Sequence, residues 1–572
     1  MEYLKRKVAN PFFQKLMKKI VFYCGALFLL ISSSCGDKMA KATVVENPIE
    51  KLMAKNQEVI LSEFKAKFIN TPNDTITTIS SVVKGIYKTP ECLWSNGLHL
   101  NKSAESLLDL VSNAQSFGLD SSFYELSELR LLSNSLLSDT GNIDLLVKSE
   151  WQFTKTCTEF MTHIKYGYLN HDKSDSLYYQ LKLDSLKSSE IAIISESIKG
   201  NRLAKAIDTL EPQFYAYKEL RKSWGEFCKT KPLTKEKVQV ETLKLDSNLA
   251  YKNAWKALTV QGYLDTIKDT TNLQKVDVLK IFQAENGLSE DGRIGRATAY
   301  ALSRTNHDRW LSVMAVIEKM KWKPIIDDTL FYANIPAYSL KVIENNSIHR
   351  EYRTVVGKTI NRTPEFTAKM NYVILNPFWH LPNSISSKEV LPKLQTNSGI
   401  ASKKGYRITD RSTGKVVDAS KVDWGKVTQS SFNYKISQVR SGGTALGKVK
   451  FIFANKYSIY FHDTPSKRLF KNDIRAYSHG CVRVQNPLDL AQYILSRQDS
   501  VMTMDSVSNF TKRGIQKRIN LTYNMPVYLR YYSCEGTSNG QMKFYRDIYK
   551  KETKVKMAIE NLIAENQNKK TL

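Results

Sequence analysis

The residues with the clearest chemical potential lie in one stretch, residues 459–484, which reads IYFHDTPSKRLFKNDIRAYSHGCVRV. It holds one of the chain's seven cysteines, Cys481, and two of its eight histidines, His462 and His479. A nearby imidazole can take the proton of a thiol and leave a thiolate near neutral pH. Gly480 permits a tight backbone bend, and a side chain just past a bend tends to be exposed. The pattern therefore indicates a cysteine nucleophile.

The neighbouring residues suggest how such a nucleophile would be held. His462 ends a strand in which apolar and polar residues alternate, and a rigid strand can hold a base at a fixed distance. The bend would bring the peptide N–H groups of Gly480 and Cys481 near the sulfur, as an oxyanion hole requires. A metal site formed by the two histidines and the cysteine is the alternative, but it lacks a good fourth ligand other than a nearby aspartate. We therefore expect a nucleophile and neither a metal nor a cofactor.

A sheet is predicted around this stretch. Apolar and polar residues alternate through residues 329–358, and three later segments show a similar β pattern. They are residues 370–379, 448–462 and 524–532. Residues 384–443 are charged and lose the alternation, so we expect an insertion between strands of one sheet. A helix should begin at Asn486-Pro487, soon after the cysteine.

Helical patterns dominate the N-terminal half. Residues 104–120 and 151–170 place apolar side chains three and four positions apart, which is the spacing of one helix face. Gly118 would end the first of these helices. Residues 177–224 continue the amphipathic pattern. No chemistry is apparent between residues 61 and 245, so we expect a helical scaffold domain there.

A second motif lies in residues 276–302, VDVLKIFQAENGLSEDGRIGRATAYAL. Gly287 would end a first short helix, and Asp291-Gly292 would begin a tight loop before a second one. The string FQxxxGLxxDGxxGxxT resembles the helical peptidoglycan-binding domain. This resemblance implies affinity for the bacterial cell wall, and a purely structural spacer is the alternative.

The N-terminus has the features of an export signal. Basic residues are followed by an apolar run, residues 20–31, which is too short to span a bilayer comfortably. Three serines and then Cys35-Gly36-Asp37 follow, which resembles a lipoprotein signal in which the cysteine is lipidated. A cleaved signal without lipid and an uncleaved anchor are the alternatives, and all three export the chain. We expect a periplasmic protein held at a membrane by a lipid anchor on Cys35.

The formal net charge of +28 favours a polyanionic partner, such as nucleic acid, an anionic membrane face or an acidic wall polymer. A solvated basic surface without a specific partner is the alternative, because the lysines are scattered along the chain. Export makes nucleic acid a poor partner, so we expect none. No CxxC pair occurs among the cysteines, which argues against a zinc ribbon or a thioredoxin-type site.

Several strings point to one family. The arrangement HDTP…SHGCVRV, in which His479 follows His462 after a short loop, resembles the catalytic motif of the L,D-transpeptidase (YkuD) family. The strings NIPAYSLKV, VVGKTINRTPEF, NPFWHLPNSI and ALGKVKF resemble its YcbB-type subgroup. The order of scaffold, peptidoglycan-binding bundle and catalytic sheet with an inserted cap matches that subgroup too.

The resemblance assigns roles to the residues around the thiol. It implies that Cys481 is the acylated nucleophile. It implies that His462 is the general base, with its ring oriented by the backbone carbonyl of Asp463. His479 and the N–H groups of Gly480 and Cys481 would stabilise the tetrahedral oxyanion.

Four side chains are candidates for contact with the substrate. Arg483 would hold a carboxylate of a stem peptide, a task that suits its planar fork. Tyr460 and Trp379 would line the cleft, although sheet packing is the alternative for both, and Ser478 completes the set. Residues 384–443 would cap the site and restrict water, because a thioester must meet an amine before it meets water.

The implied reaction is a pair of acyl transfers on peptidoglycan. The thiol would attack the carbonyl that precedes the terminal D-Ala of a tetrapeptide stem, and an amine of another stem would then form a 3-3 cross-link. With water as acceptor the protein would be an L,D-carboxypeptidase, and with a protein lysine it would anchor that protein to the wall. A catalytically idle wall-binding lipoprotein and a cysteine protease of other peptides are the remaining alternatives. Other cell-wall synthesis proteins are further candidate partners.

We therefore predict a multidomain α+β chain with a mostly-β catalytic domain. The predicted segments are a signal at 1–34, a tether at 35–60, a helical scaffold at 61–245, a small helical peptidoglycan-binding bundle at 246–305, a connecting helix at 306–325, a YkuD-type catalytic domain at 326–533 with its capping insertion at 384–443, and a helical tail at 534–572, in which the amphipathic pattern begins at 543.

Overall fold

The structure is a computed structural model that describes residues 47–69, 77–88, 91–171, 177–179, 183–264, 272–439 and 444–569. The predicted signal at 1–34 and the candidate lipidation site Cys35 lie outside the described residues. Within the described ranges, no helix is long and apolar enough to cross a membrane. Residues 54–572 form one compact unit, and of residues 1–53 the structure describes only 47–53, where the first helix begins.

Helices form most of the scaffold region. Their bounds are Pro48–Phe64, Thr77–Ile86, Lys102–Ser112, Leu126–Ser138, Ile143–Tyr166, Ser188–Lys199, Leu203–Leu210 and Tyr215–Thr230. The helix Ile143–Tyr166 is central, because it buries side chains on all of its faces. After the helix Lys102–Ser112, Gly118 adopts a left-handed conformation and caps the short turn Ala114–Phe117.

Two predictions for this region differ from the structure. The predicted tether at 35–60 extends too far, because the helix Pro48–Phe64 includes its last residues and buries Ile60 in the scaffold core. The helical pattern predicted from residue 177 is wrong at its start. Leu177–Tyr179 is a strand that pairs with Leu169–His171, and the pairing satisfies backbone groups that a helix would otherwise have used.

The predicted bundle at 246–305 contains three helices within its described residues, 246–264 and 272–305. They are Ser247–Val260, Asn272–Glu285 and Arg296–Leu302. They enclose a core of their own, which includes Leu279 and Phe282. The polar residues of the motif hold the loop after the second helix. The Gln283 side chain accepts from the Gly292 N–H at 2.8 Å and donates to the Asp291 carboxylate at 2.8 Å. These motif residues are therefore structural here, and the wall affinity of the bundle stays a prediction.

The connecting helix, Asn306–Trp322, is buried along most of its length and contributes to the scaffold core. The bundle that precedes it also touches the catalytic region directly. The backbone N–H and the hydroxyl of Ser289 donate to the Asp473 carboxylate at 2.9 and 2.6 Å. Since Asp473 lies in the loop between His462 and Cys481, the bundle contacts the loop that leads to the thiol.

A mixed sheet forms the catalytic region, and Phe366–Leu375 closes it by pairing with Val449–Phe453. Apolar residues of its strands, such as Phe331 and Val373, fill a second core, to which the helices Pro487–Ser496 and Met504–Lys512 contribute. The sheet beside a helical N-terminal region confirms the predicted α+β fold class. The strands in spatial order are Val449–Phe453, Phe461–His462, Val482–Val484, Ser347–Gly357, Ser339–Glu344, Leu330–Asn334, Pro526–Arg530, Phe366–Leu375 and Lys517–Asn520, and Ala476–Ser478 pairs with Ser347–Gly357.

The capping insertion has a sheet and a core of its own. Its core includes Leu391, Trp424 and Ile436. The strand Trp379–His380 belongs to its sheet but precedes the predicted start at 384. The other strands are Tyr406–Asp410, Val416–Val417 and Tyr434–Gln438, and the short helices are Asn383–Ile385, Leu391–Thr396 and Ile400–Lys404.

The C-terminal region differs from the predicted helical tail at 534–572. Cys534–Gly536 and Met542–Phe544 form a β-hairpin, and the helix Thr553–Lys569 begins after the predicted start at 543. The hairpin forms because Met542 and Phe544 alternate into the scaffold core, which is the periodicity of a strand. It packs on the helix Tyr215–Thr230, so the end of the chain ties the scaffold to the catalytic region.

We predict that Gly536→Ala lowers the free energy of unfolding by about 2 kcal/mol, because overpacking a close contact costs roughly 1–3 kcal/mol. A Cβ at this position would lie 1.9 Å from the carbonyl oxygen of Glu219 and 2.6 Å from the backbone nitrogen of Leu220. Both atoms belong to the backbone of the helix Tyr215–Thr230, which cannot move aside as a side chain can. Denaturant unfolding measures the change.

Gly225→Ala in the same helix is the matched control. A Cβ there meets no atom within 4 Å, and alanine favours a helix over glycine by about 1 kcal/mol, so this variant should be as stable as the parent or slightly more stable. Equal stability of Gly536→Ala and the parent would contradict the close packing of hairpin and helix.

Candidate active site

Two short parallel strands bring the candidate nucleophile and base together. Phe461 pairs with Val482 and His462 pairs with Arg483. Phe461 and Val482 are buried in the core of the sheet, so His462 and Arg483 lie on its other face. The Val482 N–H donates to the carbonyl of the preceding residue on the first strand, Tyr460, at 3.2 Å. Tyr460, His462, Cys481 and Arg483 therefore share one face of the strand pair.

The Cys481 thiol is half-buried and surrounded by polar groups. Its sulfur lies 3.8 Å from the carbonyl oxygen of Ser458. Burial raises the pKa of Cys481, while hydrogen bonds from the backbone and the hydroxyl of Tyr460 and the charges of Lys450 and Arg483 oppose this rise. In the free protein the thiol is therefore protonated, so a role as nucleophile would need a base that takes its proton.

His462 has the protonation state that such a base requires. It is 5% exposed, and its Nδ1 lies 2.5 Å from the carbonyl oxygen of Asp463, the group that the family resemblance implies. Because a carbonyl only accepts, Nδ1 carries the proton and Nε2 has a free lone pair. Burial first, and then the charges of Arg483 and Lys450, lower the pKa of His462 to about 3. The ring is thus neutral near pH 7 and able to accept a proton.

The Asp463 side chain stabilises the backbone next to His462. Its carboxylate accepts from the backbone N–H groups of Lys448 at 2.8 Å and Thr464 at 2.6 Å, and it forms an ion pair with Lys467. A Cβ at Gly447, whose φ is +61°, would collide with this carboxylate. The carboxylate therefore fixes the turn before the strand Val449–Phe453, and the carbonyl of the same residue fixes the base.

The bend at Gly480 differs from its predicted role. With φ at +115°, Gly480 has a backbone conformation that residues with side chains rarely adopt. Its N–H already donates to the Ser478 hydroxyl at 3.0 Å, and that hydroxyl donates to the Cys481 carbonyl at 2.6 Å. Ser478 is buried, so it holds the bend and is not placed for substrate contact. Of the predicted pair of oxyanion donors, the N–H of Cys481 is the one that this bend leaves available.

A second brace holds the other side of the bend. The Thr363 hydroxyl donates to the Gly480 carbonyl at 2.7 Å, and the Gly357 N–H donates to the Thr363 hydroxyl at 2.9 Å. The Tyr549 hydroxyl donates to the Gly357 carbonyl at 2.5 Å. Through these contacts the C-terminal segment, far away in sequence, fixes the backbone that presents the thiol.

His479 lies where the sequence could not place it. It is exposed, and its Nε2 is 2.6 Å from the carboxylate of Glu389 in the capping insertion. With Nε2 on this carboxylate, only Nδ1 is left for a substrate oxygen. The predicted oxyanion role of His479 is therefore restricted to that atom, and the ring links the motif to the cap.

The remaining predicted substrate contacts surround the thiol. The Tyr460 hydroxyl interacts with Cys481 and Trp379, which affect its pKa, and the Tyr460 ring lies 5.6 Å from the ring of His462. Arg483 is half-buried, and its Nε has no hydrogen-bond partner among the described groups. An unpaired guanidinium donor beside the thiol is suited to a carboxylate of a ligand.

Lys450 is a site residue that the sequence reasoning missed. It pairs with His462 across the strands, so Lys450, His462 and Arg483 form one row. Its Nζ lies 3.7 Å from the centre of the Tyr460 ring. The sequence does show a lysine between two apolar residues, Val449 and Phe451, that are buried in the structure. It does not show that this lysine pairs with His462, because that pairing depends on the strand register.

Comparisons with known proteins agree with this geometry. Residues 328–511 match the YkuD family, described as an L,D-transpeptidase catalytic domain, and residues 82–223 match a Scaffold domain. A Haemophilus influenzae protein named "Putative L,D-transpeptidase" is 32% identical over 227 residues. The match covers 40% of this chain and 45% of that protein, so the chain spans about half of its relative's length.

These matches define the class first: the sheet that carries Cys481 is an L,D-transpeptidase catalytic domain. With a Scaffold domain before it, the chain combines the two domains of the YcbB-type architecture.

His462 should make stability depend on pH. Between pH 6.5 and its folded pKa of about 3, the unfolded histidine binds a proton and the folded one does not, so stability falls as the pH falls. Between pH 6.5 and 4 this contribution reaches up to about 3 kcal/mol. Urea unfolding at pH 6.5 and 4 should show that the free energy of unfolding falls less in His462→Gln than in the parent.

The exposed residue His99 provides the control, because His99→Gln should leave the parental pH dependence unchanged. An equal acid-induced loss in the parent and in His462→Gln would show that His462 is not held neutral.

Lys450→Met should slow the reaction of Cys481 with iodoacetamide at pH 7 by about three- to tenfold, because the ammonium group stabilises the thiolate. Peptide mass spectrometry would follow Cys481 alone. Burial raises the pKa of Cys92 and of Cys228 to about 12, so neither should compete. Lys471→Met, at an exposed lysine outside the row, should keep the parental rate, and an unchanged rate for Lys450→Met would argue against the electrostatic role.

Proposed function

We propose that the protein is a peptidoglycan L,D-transpeptidase that forms 3-3 cross-links through a thioester on Cys481. The observation that carries the proposal is the shared face of the parallel strands, which holds a neutral His462, the thiol and Arg483. The Nε of Arg483 has no hydrogen-bond partner among the described groups. The family match supports the same chemistry.

In the first transfer the thiol would attack the carbonyl that precedes the terminal D-Ala of a tetrapeptide stem. A C–S bond forms while the thiol proton passes to Nε2 of His462. The C–N bond to D-Ala then breaks, and the departing amine takes the proton from His462. The N–H of Cys481 would stabilise the oxyanion between these steps, and Arg483 would hold a stem carboxylate.

In the second transfer the amine of another stem would attack the thioester carbonyl. It loses a proton to His462, the C–S bond breaks, and the thiol recovers that proton. The capping insertion touches the motif through Glu389 and His479 and would restrict water at this stage. If water reached the thioester, the product would be that of an L,D-carboxypeptidase.

The rest of the chain would bring this site to the wall. L,D-transpeptidases act on the cell wall outside the cytoplasm, and a lipid on Cys35 would hold the protein at a membrane in the periplasm. The bundle would bind peptidoglycan while it touches the loop before the motif through Asp473. The segment boundaries given above for scaffold, bundle, catalytic domain and cap belong to the same proposal.

The test is incubation of the purified protein with tetrapeptide muropeptides, followed by mass spectrometry of the products. We predict D-Ala release and 3-3 dimers, both lowered about a thousandfold or more in Cys481→Ala, because removing a nucleophile leaves only the residual effects of the site. Cys228→Ala, a half-buried cysteine of the scaffold, is the matched control and should react like the parent.

Tripeptide without dimers would identify a carboxypeptidase. No product from the parent, together with retained binding to sacculi, would favour a catalytically idle wall-binding protein and contradict the proposal.

A further inference from the structure

A large basic cavity lies beside the site, and none of its lining residues belongs to the row of Lys450, His462 and Arg483. Its volume is about 710 Å³. It is bounded by the end of the connecting helix, the start of the strand Phe366–Leu375, the end of the strand Pro526–Arg530 and the C-terminal segment. Seven cationic side chains and one acidic side chain, Glu365, line it. The cations are Lys319, Lys323, Arg362, Arg530, Lys550, Lys551 and Lys554.

The protein neutralises little of this charge. Glu365 is shared by Lys551 at 3.1 Å and Lys319 at 3.8 Å, and Lys319 also lies 3.8 Å from the buried Glu552. The other lysines and Arg362 form no ion pair with any residue that the structure describes. A concave surface with so many uncompensated cations attracts anions strongly.

One of the lining cations, Arg530, is a buried guanidinium. Arg530 is 6% exposed, and its Nη atoms donate to the Phe366 carbonyl at 3.1 Å and to the Thr367 hydroxyl at 3.0 Å. Its Nε is buried and has no hydrogen-bond partner among the described atoms. The bonds from the Nη atoms fix the guanidinium in place, so Arg530 adds a fixed positive charge to the cavity lining.

The cavity borders the loops that present the thiol. Arg362 lines it, and a Cβ at Gly480 would lie 3.6 Å from the Arg362 carbonyl oxygen. Tyr457 also lines it, and the next residue, Ser458, has its carbonyl oxygen 3.8 Å from the Cys481 sulfur. A polymer bound in the cavity would therefore pass close to the reacting centre.

We propose that this basic cavity binds the carboxylates of a peptide-bearing glycan strand and holds the strand beside Cys481. The cations come from four separate chain segments around a wide space, which suits several separated single charges better than one compact dianion. The proposal rests on the proposed function for the identity of the polymer. It assigns binding of the strand to residues outside the row of Lys450, His462 and Arg483.

The experiment measures binding of short, labelled poly-L-glutamate to the full chain by fluorescence anisotropy. Binding of inorganic polyphosphate is measured in the same way, to test whether the cavity prefers phosphates to carboxylates. The test variant replaces the exposed residues Lys323, Lys550 and Lys554 together by glutamine. The control replaces three exposed scaffold residues, Lys102, Lys205 and Lys222, in the same way, so both variants lose the same net charge. Unchanged melting temperatures would show that both variants are folded.

We expect the cavity variant to bind poly-L-glutamate about tenfold more weakly than the parent, because each exposed ionic contact contributes modestly and the three add. The control variant should bind like the parent. Poly-L-glutamate should also displace the parent from purified sacculi, and the cavity variant should bind sacculi less than the control.

If the two variants lost equal affinity for poly-L-glutamate, net charge alone would explain the binding, and the proposal would be overturned. Binding of polyphosphate without poly-L-glutamate would overturn the carboxylate assignment. Because binding is measured without turnover, a failure of D-Ala release would contradict the proposed reaction and leave this measurement intact. If the cavity variant bound poly-L-glutamate as tightly as the parent, the cavity site would be contradicted and the proposed reaction would not.

Discussion

The chemistry of this protein depends on the parallel pairing of two very short strands. Phe461 and Val482 anchor the pair in the core, and this burial turns His462 and Arg483 outward on the same face. A slip of one residue would send the histidine or the arginine into the core, because side chains alternate along a strand. The second core, the Thr363 brace and the Asp463 turn all serve to hold this register.

The electrostatics of the site follow from the same arrangement. Lys450 and Arg483 flank His462 in the row, and burial removes water from the imidazole. Both effects keep His462 neutral, so the ring can accept a proton, while the same cations oppose the rise in the pKa of Cys481. One pair of cations therefore keeps the candidate base neutral and favours the thiolate, while burial keeps the thiol protonated in the free protein.

The sequence predicted the parts of the site that one segment carries and missed those that depend on tertiary contacts. Cys481, His462 and the carbonyl of Asp463 are recognisable within one stretch. Lys450 was missed because its neighbours depend on strand register, and the contact of His479 with Glu389 joins residues of two subdomains. The scaffold and the α+β class followed from helical and alternating patterns, whereas the C-terminal hairpin depends on a core supplied by the distant helix Tyr215–Thr230.

The central claim is that Cys481 carries the acyl group. The most direct measurement is peptide mass spectrometry of the protein after a brief, acid-quenched reaction with a tetrapeptide muropeptide. We expect an adduct on the Cys481 peptide whose mass is that of the muropeptide acyl group without its terminal D-Ala. Release of D-Ala with no adduct on Cys481, or with an adduct on another residue, would contradict it.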